Sequence, residues 1–96
     1  KAAEQVNEPI WQFPLAVSHQ DKCPSEFADT ANSRPVPGGG AGGASNAAGF
    51  LSRFVDNEGA GWLHFDLATA YNGSSTSLFS AGGTGLGIAT IAELIK

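Results

Sequence analysis

The sequence predicts an α/β fold, and three observations carry that prediction. Residues 62–68 alternate as a strand does: Leu63, Phe65 and Leu67 share one face, and Trp62, His64, Asp66 and Ala68 the other. Ahead of them, Ala47, Phe50, Leu51, Phe54 and Val55 fall at i, i+3, i+4, i+7 and i+8, one apolar helical stripe. Behind them, Ile88, Ile91, Ala92 and Ile95 fall at i, i+3, i+4 and i+7, a second stripe. One strand cannot make a sheet, so these faces need partners that this chain does not supply. The chain therefore reads as a piece of a larger domain.

Taken in order, residues 1–8 read as the end of a helix stopped by Pro9, since proline disfavours helical geometry in the residue before it. Ile10-Trp11-Gln12-Phe13-Pro14-Leu15 is an apolar patch pinned by prolines, an extended stretch or short turn under a core. Residues 16–29 have room for one short helix, placed around Pro24-Ser25-Glu26-Phe27. Residues 30–43 are loop and end in a glycine run that is flexible unless something holds it. Ser45 is the expected N-cap of the next helix, which Gly59 and Gly61 terminate. After the strand, residues 71–83 form a polar loop rich in Ser and Gly. The last helix is expected over about 85–95 with Thr84 as its cap.

Composition narrows the function classes. The 96 residues are 42% hydrophobic and only 15% charged, with 13 Gly and 5 Pro, which suits one small, loop-rich unit. Five Lys and Arg against nine carboxylates give a net charge of -4, too few and too scattered to neutralise phosphates, so no nucleic-acid partner is expected. The single cysteine, Cys23, can form neither an internal disulfide nor a cysteine-rich zinc site. No apolar run approaches the ~18 residues of a membrane span, and no signal peptide is visible, so no membrane partner and a cytoplasmic location are expected.

No catalytic constellation is complete on residues alone. Gly38, Gly40 and Gly43 match G-x-G-x-x-G, but the preceding Arg34-Pro35-Val36-Pro37 is poor strand material for a dinucleotide loop. A tight loop ahead of a helix is the better reading. His64 and Asp66 sit at i, i+2 as a conceivable metal pair with no third ligand at a suitable spacing. Ser45 and Ser80 lie near glycines without forming G-x-S-x-G, and Cys23 reads as an idle thiol rather than a nucleophile. Asn72-Gly73-Ser74 has the spacing of a glycosylation sequon, which is empty without a secretory signal.

Several stretches together resemble the C-terminal end of the leucyl aminopeptidase family. Pro9-Ile10-Trp11-Gln12-Phe13-Pro14-Leu15 is similar to its P-F-W-R-L-P-L, and Ala28-Asp29 with Asn32 to A-D-x-x-N. The run Gly43-Ala44-Ser45-Asn46-Ala47-Ala48-Gly49-Phe50-Leu51, followed by Phe54-Val55, resembles G-A-x-T-A-A-x-F-L-x-x-F-V. Residues 62–68 resemble W-A-H-L-D-I-A, residues 81–88 G-A-T-G-x-G-V, and Thr90-Ile91-Ala92-Glu93-Leu94 the closing R-T-L-x-x-L helix. The pieces come in the family's order and spacing over nearly the whole chain. Ala89 departs from a frequent Arg, and Asn46 from the usual Thr.

The resemblance implies the C-terminal part, residues 1–96, of a three-layer α/β/α catalytic domain with a mixed central sheet. Family members cleave the N-terminal residue from peptides with two bridged divalent metals, zinc or manganese, that polarise the carbonyl and generate hydroxide. Their ligands and catalytic Lys and Arg lie in upstream motifs such as N-T-D-A-E-G-R, none of which occurs here. The resemblance thus assigns this chain no catalytic residue and no metal ligand, and implies that alone it is inactive. It does assign a substrate pocket: Ala68 at the strand end, Tyr71 three positions later, and Ser33 after the A-D-x-x-N asparagine. Peptides are the implied substrates and a homo-hexamer the implied assembly. The competing reading is a non-catalytic module that binds a small ligand or mediates oligomerisation.

Overall fold

The computed structural model describes residues 1–67 and 70–96. They divide into two compact units, one of residues 1–11 with 65–96 and the other of residues 12–64.

In the first unit, α1 (Ala2–Gln5) ends on Val6, short of Pro9. What stops it is Asn7, whose φ of 56° is the left-handed geometry that asparagine tolerates best after glycine. The Asn7 N–H donates to the Glu4 carbonyl at 3.3 Å and the Glu8 N–H to the Ala3 carbonyl at 2.9 Å, a Schellman closure. That turn sends Glu8 toward α4 (Ile88–Leu94). Its Oε1 accepts the Gly87 N–H at 3.1 Å, and its Oε2 accepts the Thr90 N–H at 2.9 Å and the Thr90 hydroxyl at 2.5 Å. The cap expected from Thr84 is thus supplied by Glu8, with Gly87 at the N-cap position. The Thr84 hydroxyl instead accepts the Leu86 N–H at 3.3 Å, a local turn just upstream. Ala3 and Thr90, each 2% exposed, are the buried residues of α1 and α4. The expected stripe of α4 faces outward, with Ile88 69% exposed and Ile91 and Ile95 exposed as well.

The expected loop over 71–83 contains a short antiparallel pair, β1 (Tyr71–Asn72) with β2 (Gly82–Gly83). Tyr71 opposes Gly83 and Asn72 opposes Gly82. The Thr84 N–H extends the ladder to the Ala70 carbonyl at 2.8 Å. Between the arms, the Thr76 hydroxyl accepts the Leu78 and Phe79 N–H groups, and the Ser75 hydroxyl accepts that of Ala81.

The second unit is built on α2 (Val17–Gln20) and α3 (Gly43–Ser52). The short helix of residues 16–29 therefore forms earlier than expected. Around 24–27 the Ser25 hydroxyl accepts the N–H groups of Phe27 and Ala28, which holds a turn in place of a helix. Ser45 is no N-cap either. Gly42, with φ 78°, occupies that position, and Ser45 is buried one turn in, donating to the Pro14 carbonyl at 2.7 Å. The buried residues of α3 are Ser45, Asn46, Ala48 and Gly49, while Phe54 beyond its end is 67% exposed and Leu51 is exposed too. The apolar stripe thus faces out and the small face in. Gly49 explains this: a Cβ there would lie 2.5 Å from the His19 carbonyl carbon, so α2 backbone rests directly on α3. Ser52, one turn further, accepts the Gln20 side-chain N–H at 3.0 Å. The helix ends at Arg53, well before Gly59 and Gly61, and a 3-10 turn follows at Asn57–Gly59.

Residues 62–67 are not a strand. Among the described residues they have no ladder partner, and Leu63 and Leu67 are exposed. A strand is defined by its neighbour, and the chain holds no second apolar alternating run to pair with this one.

Candidate functional site

Of the three expected pocket residues, Tyr71 is the best framed. The ladder to Gly83 fixes its backbone, and its side chain stands 68% exposed. Glycine at both positions of the opposing arm leaves that side of the hairpin without side chains. Ser33 is exposed in a bend of the other unit. Ala68 lies outside the described residues.

The glycine run is held rather than loose. Arg34 reaches over it, and its Nη1 donates to the carbonyls of Gly39 and Ala41, both at 3.1 Å. Asn46, inside α3, donates from its side chain to the same Ala41 carbonyl at 3.0 Å. A Cβ on Gly40 would sit 2.5 Å from the guanidinium, so the clamp depends on glycine there. Among the described residues no strand precedes the run, in line with a tight loop ahead of a helix.

The other candidates stay separate. Ser45 is committed to the Pro14 carbonyl and is buried, a structural role. Cys23 is a buried free thiol whose backbone carbonyl accepts the Thr30 hydroxyl and the Ala31 N–H. His64 has its ring 6.1 Å from that of Trp62, and its Nε2 is buried without a hydrogen-bond partner. Asp66 is exposed and belongs to the other unit. Among the described residues no three His, Cys, Asp or Glu side chains gather closely enough to hold a metal ion. Nor is any helix among them long and apolar enough to cross a membrane.

The profile of the cytosol aminopeptidase family, catalytic domain, matches residues 1–92. The chain belongs to that family. The match takes in residues of both compact units, from the start of α1 into α4. Cytosol aminopeptidases are metal-dependent enzymes that work with two divalent ions. Among the described residues the donor set does not fit such a pair: the carboxylates and imidazoles are dispersed, and Glu8 is already engaged by three donors.

No sequence motif singles out Glu8. Its partners Gly87 and Thr90 lie 79 and 82 positions further along the chain. The bonds from the Thr90 hydroxyl and amide hold the Glu8 carboxyl below its ordinary value, with lesser help from the Gly87 and Ala89 N–H groups and opposed by partial burial. No local pattern around Glu8 signals that arrangement.

Proposed function

We propose that this chain is the C-terminal part of the catalytic domain of a dimetal aminopeptidase that removes the N-terminal residue from peptides. The observation that carries the reading is the family match over residues 1–92. In the whole enzyme the two ions, zinc or manganese, would polarise the scissile carbonyl and supply hydroxide, held by residues outside this segment. The segment's own contribution is packing and part of the wall that meets the substrate's first side chain, formed by Tyr71, Ala68 and Ser33. The domain is a three-layer α/β/α architecture in which residues 62–68 find strand partners. The outward apolar faces of α3 and α4 and the unpaired alternation at 62–67 support that reading. Asn7-Glu8-Pro9, Ala48-Gly49-Phe50-Leu51-Ser52 and Gly61-Trp62-Leu63-His64 favour a protein similar to bacterial peptidase B, a cytosolic hexamer.

The test compares the full-length protein with the isolated 96-residue chain on leucyl-p-nitroanilide with added zinc or manganese. Full-length protein should turn over substrate and lose that activity to a chelator, and the isolated chain should not rise above the blank. Turnover by the repurified isolated chain would overturn the segment reading. A metal-replete full-length protein inert on N-terminal leucine, alanine and phenylalanine alike would overturn the enzyme reading.

A further inference from the structure

We propose that Glu8 is an acid-sensitive latch: ionised, it fastens the first turn of α4 to the end of α1, and protonated, it lets α4 go. Three observations meet on it, none of which depends on the enzymatic reading.

The first is stoichiometry. Both carboxylate oxygens accept, Oε1 from the Gly87 N–H and Oε2 from the N–H and hydroxyl of Thr90. A carboxylate is an acceptor only, so three converging donors match its ionised form. Added to it, a proton would face N–H groups that have nothing to accept with. The Thr90 hydroxyl alone could turn to accept.

The second is that little else secures the contact. α1 has four residues and α4 seven, far below the length at which an isolated helix persists in water. The buried residues of α1 and α4 are the small Ala3 and Thr90, while Ile88, Ile91, Leu94 and Ile95 face outward. The carboxylate therefore supplies much of what orders the first turn of α4.

The third is placement. The Schellman turn at Asn7 fixes the Glu8 backbone, so its side chain reaches Gly87 and Thr90 without a long free stem. The charged groups on or next to the packed elements are Glu4 in α1 with Lys1 just before it, and Glu93 in α4 with Lys96 just after it. Lys96 and Glu93 pair with each other. Lys1 and Glu4, of opposite charge, both line the surface hollow that Glu8 borders.

Because the folded carboxyl sits below its ordinary value, the latch is fully closed above that value and opens as pH falls through the lower, folded one.

Amide hydrogen exchange on the full-length protein tests this, read on the peptide spanning 86–95 with α3 as internal control. In the wild type, protection of that peptide should be steady at neutral pH and fall as the pH drops below the ordinary carboxylate value, while α3 keeps its own. Glu8→Gln should show about fivefold lower protection already at neutral pH, the usual size of a lost helix cap, and no further acid step. Thr90→Val keeps both amide bonds but deletes the hydroxyl donor, so its acid transition should move to higher pH. The proposal is overturned if Glu8→Gln retains wild-type protection at neutral pH. It is equally overturned if the Thr90→Val midpoint stays in place, or if α3 and α4 lose protection together in the wild type.

Discussion

Replacing Gly49 by alanine sets two effects against each other, and the structure says which wins. In an exposed helix, Gly→Ala gains about 1 kcal/mol, because alanine restricts the unfolded chain and suits helical geometry. Gly49 is helical and has no positive φ to protect. Its added Cβ, however, would sit 2.5 Å from the His19 carbonyl carbon, 2.6 Å from the oxygen and 2.8 Å from the His19 Cβ. Two of those atoms are main chain of α2 and cannot swing aside. Restoring contact near 3.5 Å requires the helices to part by about 1 Å. That separation also stretches the Ser45 bond to Pro14 and the Gln20 bond to Ser52. Overpacking of this kind costs about 1–3 kcal/mol, and a strained hydrogen bond up to about 1 more. Set against the gain of about 1 kcal/mol, the expected net loss lies in the range of about 0–3 kcal/mol with its middle at about 1.5, a factor of roughly 10 in local opening. Gly43 is the control. It starts the same helix with nothing within 4 Å of its would-be Cβ, so Gly43→Ala should be neutral or mildly stabilising. Amide exchange of the peptide spanning 43–54 in the full-length protein reads both. If Gly49→Ala raises protection as Gly43→Ala does, the close approach of α2 to α3 is wrong.

Arg34→Ala should release the Gly39 and Ala41 carbonyls and speed limited proteolysis within 34–42, with α3 still protected; unchanged cleavage would show that Asn46 alone holds the loop. Tyr71→Ala in the full-length enzyme should change kcat/KM unequally for substrates beginning with Ala, Leu, Phe and Glu. The spread should be about 10- to 200-fold, the value of one or two methylene contacts in such a pocket, with metal content unchanged. An equal fall for all four would make Tyr71 a structural residue of the hairpin.

Helices were legible in this chain where glycine and apolar spacing coincide, yet their faces were not. The stripe rule equates bulky with buried. In α3 the inward line is Ser45, Ala48, Gly49 and Ser52, because α2 approaches as backbone and only small residues admit it. In α4 the inward residue is Thr90, chosen by the carboxylate of Glu8. The β1–β2 pair was hidden because Gly82 and Gly83 carry no strand propensity; backbone pairing alone makes the ladder. Family membership was legible because it rests on the order of many short motifs rather than on any constellation. The pocket residues Ala68, Tyr71 and Ser33 came from that resemblance, and nothing in their own spacing marks them.

The two kinds of failure have one physical root. Residues 62–67 carry a strand's alternation without a strand's partner, and α3 and α4 carry apolar stripes that look outward. An apolar stripe that the chain's own contacts leave wet supports the proposed packing against a surface outside this segment. Exposed apolar area of that extent is costly for a free domain, and about 25 cal/mol for each Å² covered favours whatever closes over it. The inward faces, by contrast, are polar and stapled: Ser45 to Pro14, Gln20 to Ser52, Glu8 to Gly87 and Thr90. Specific hydrogen bonds fix the geometry within each unit, and on the proposed reading the exposed apolar surface packs against the rest of the catalytic domain. That division explains why reading burial from hydrophobicity misplaced the core while reading the family from motif order did not.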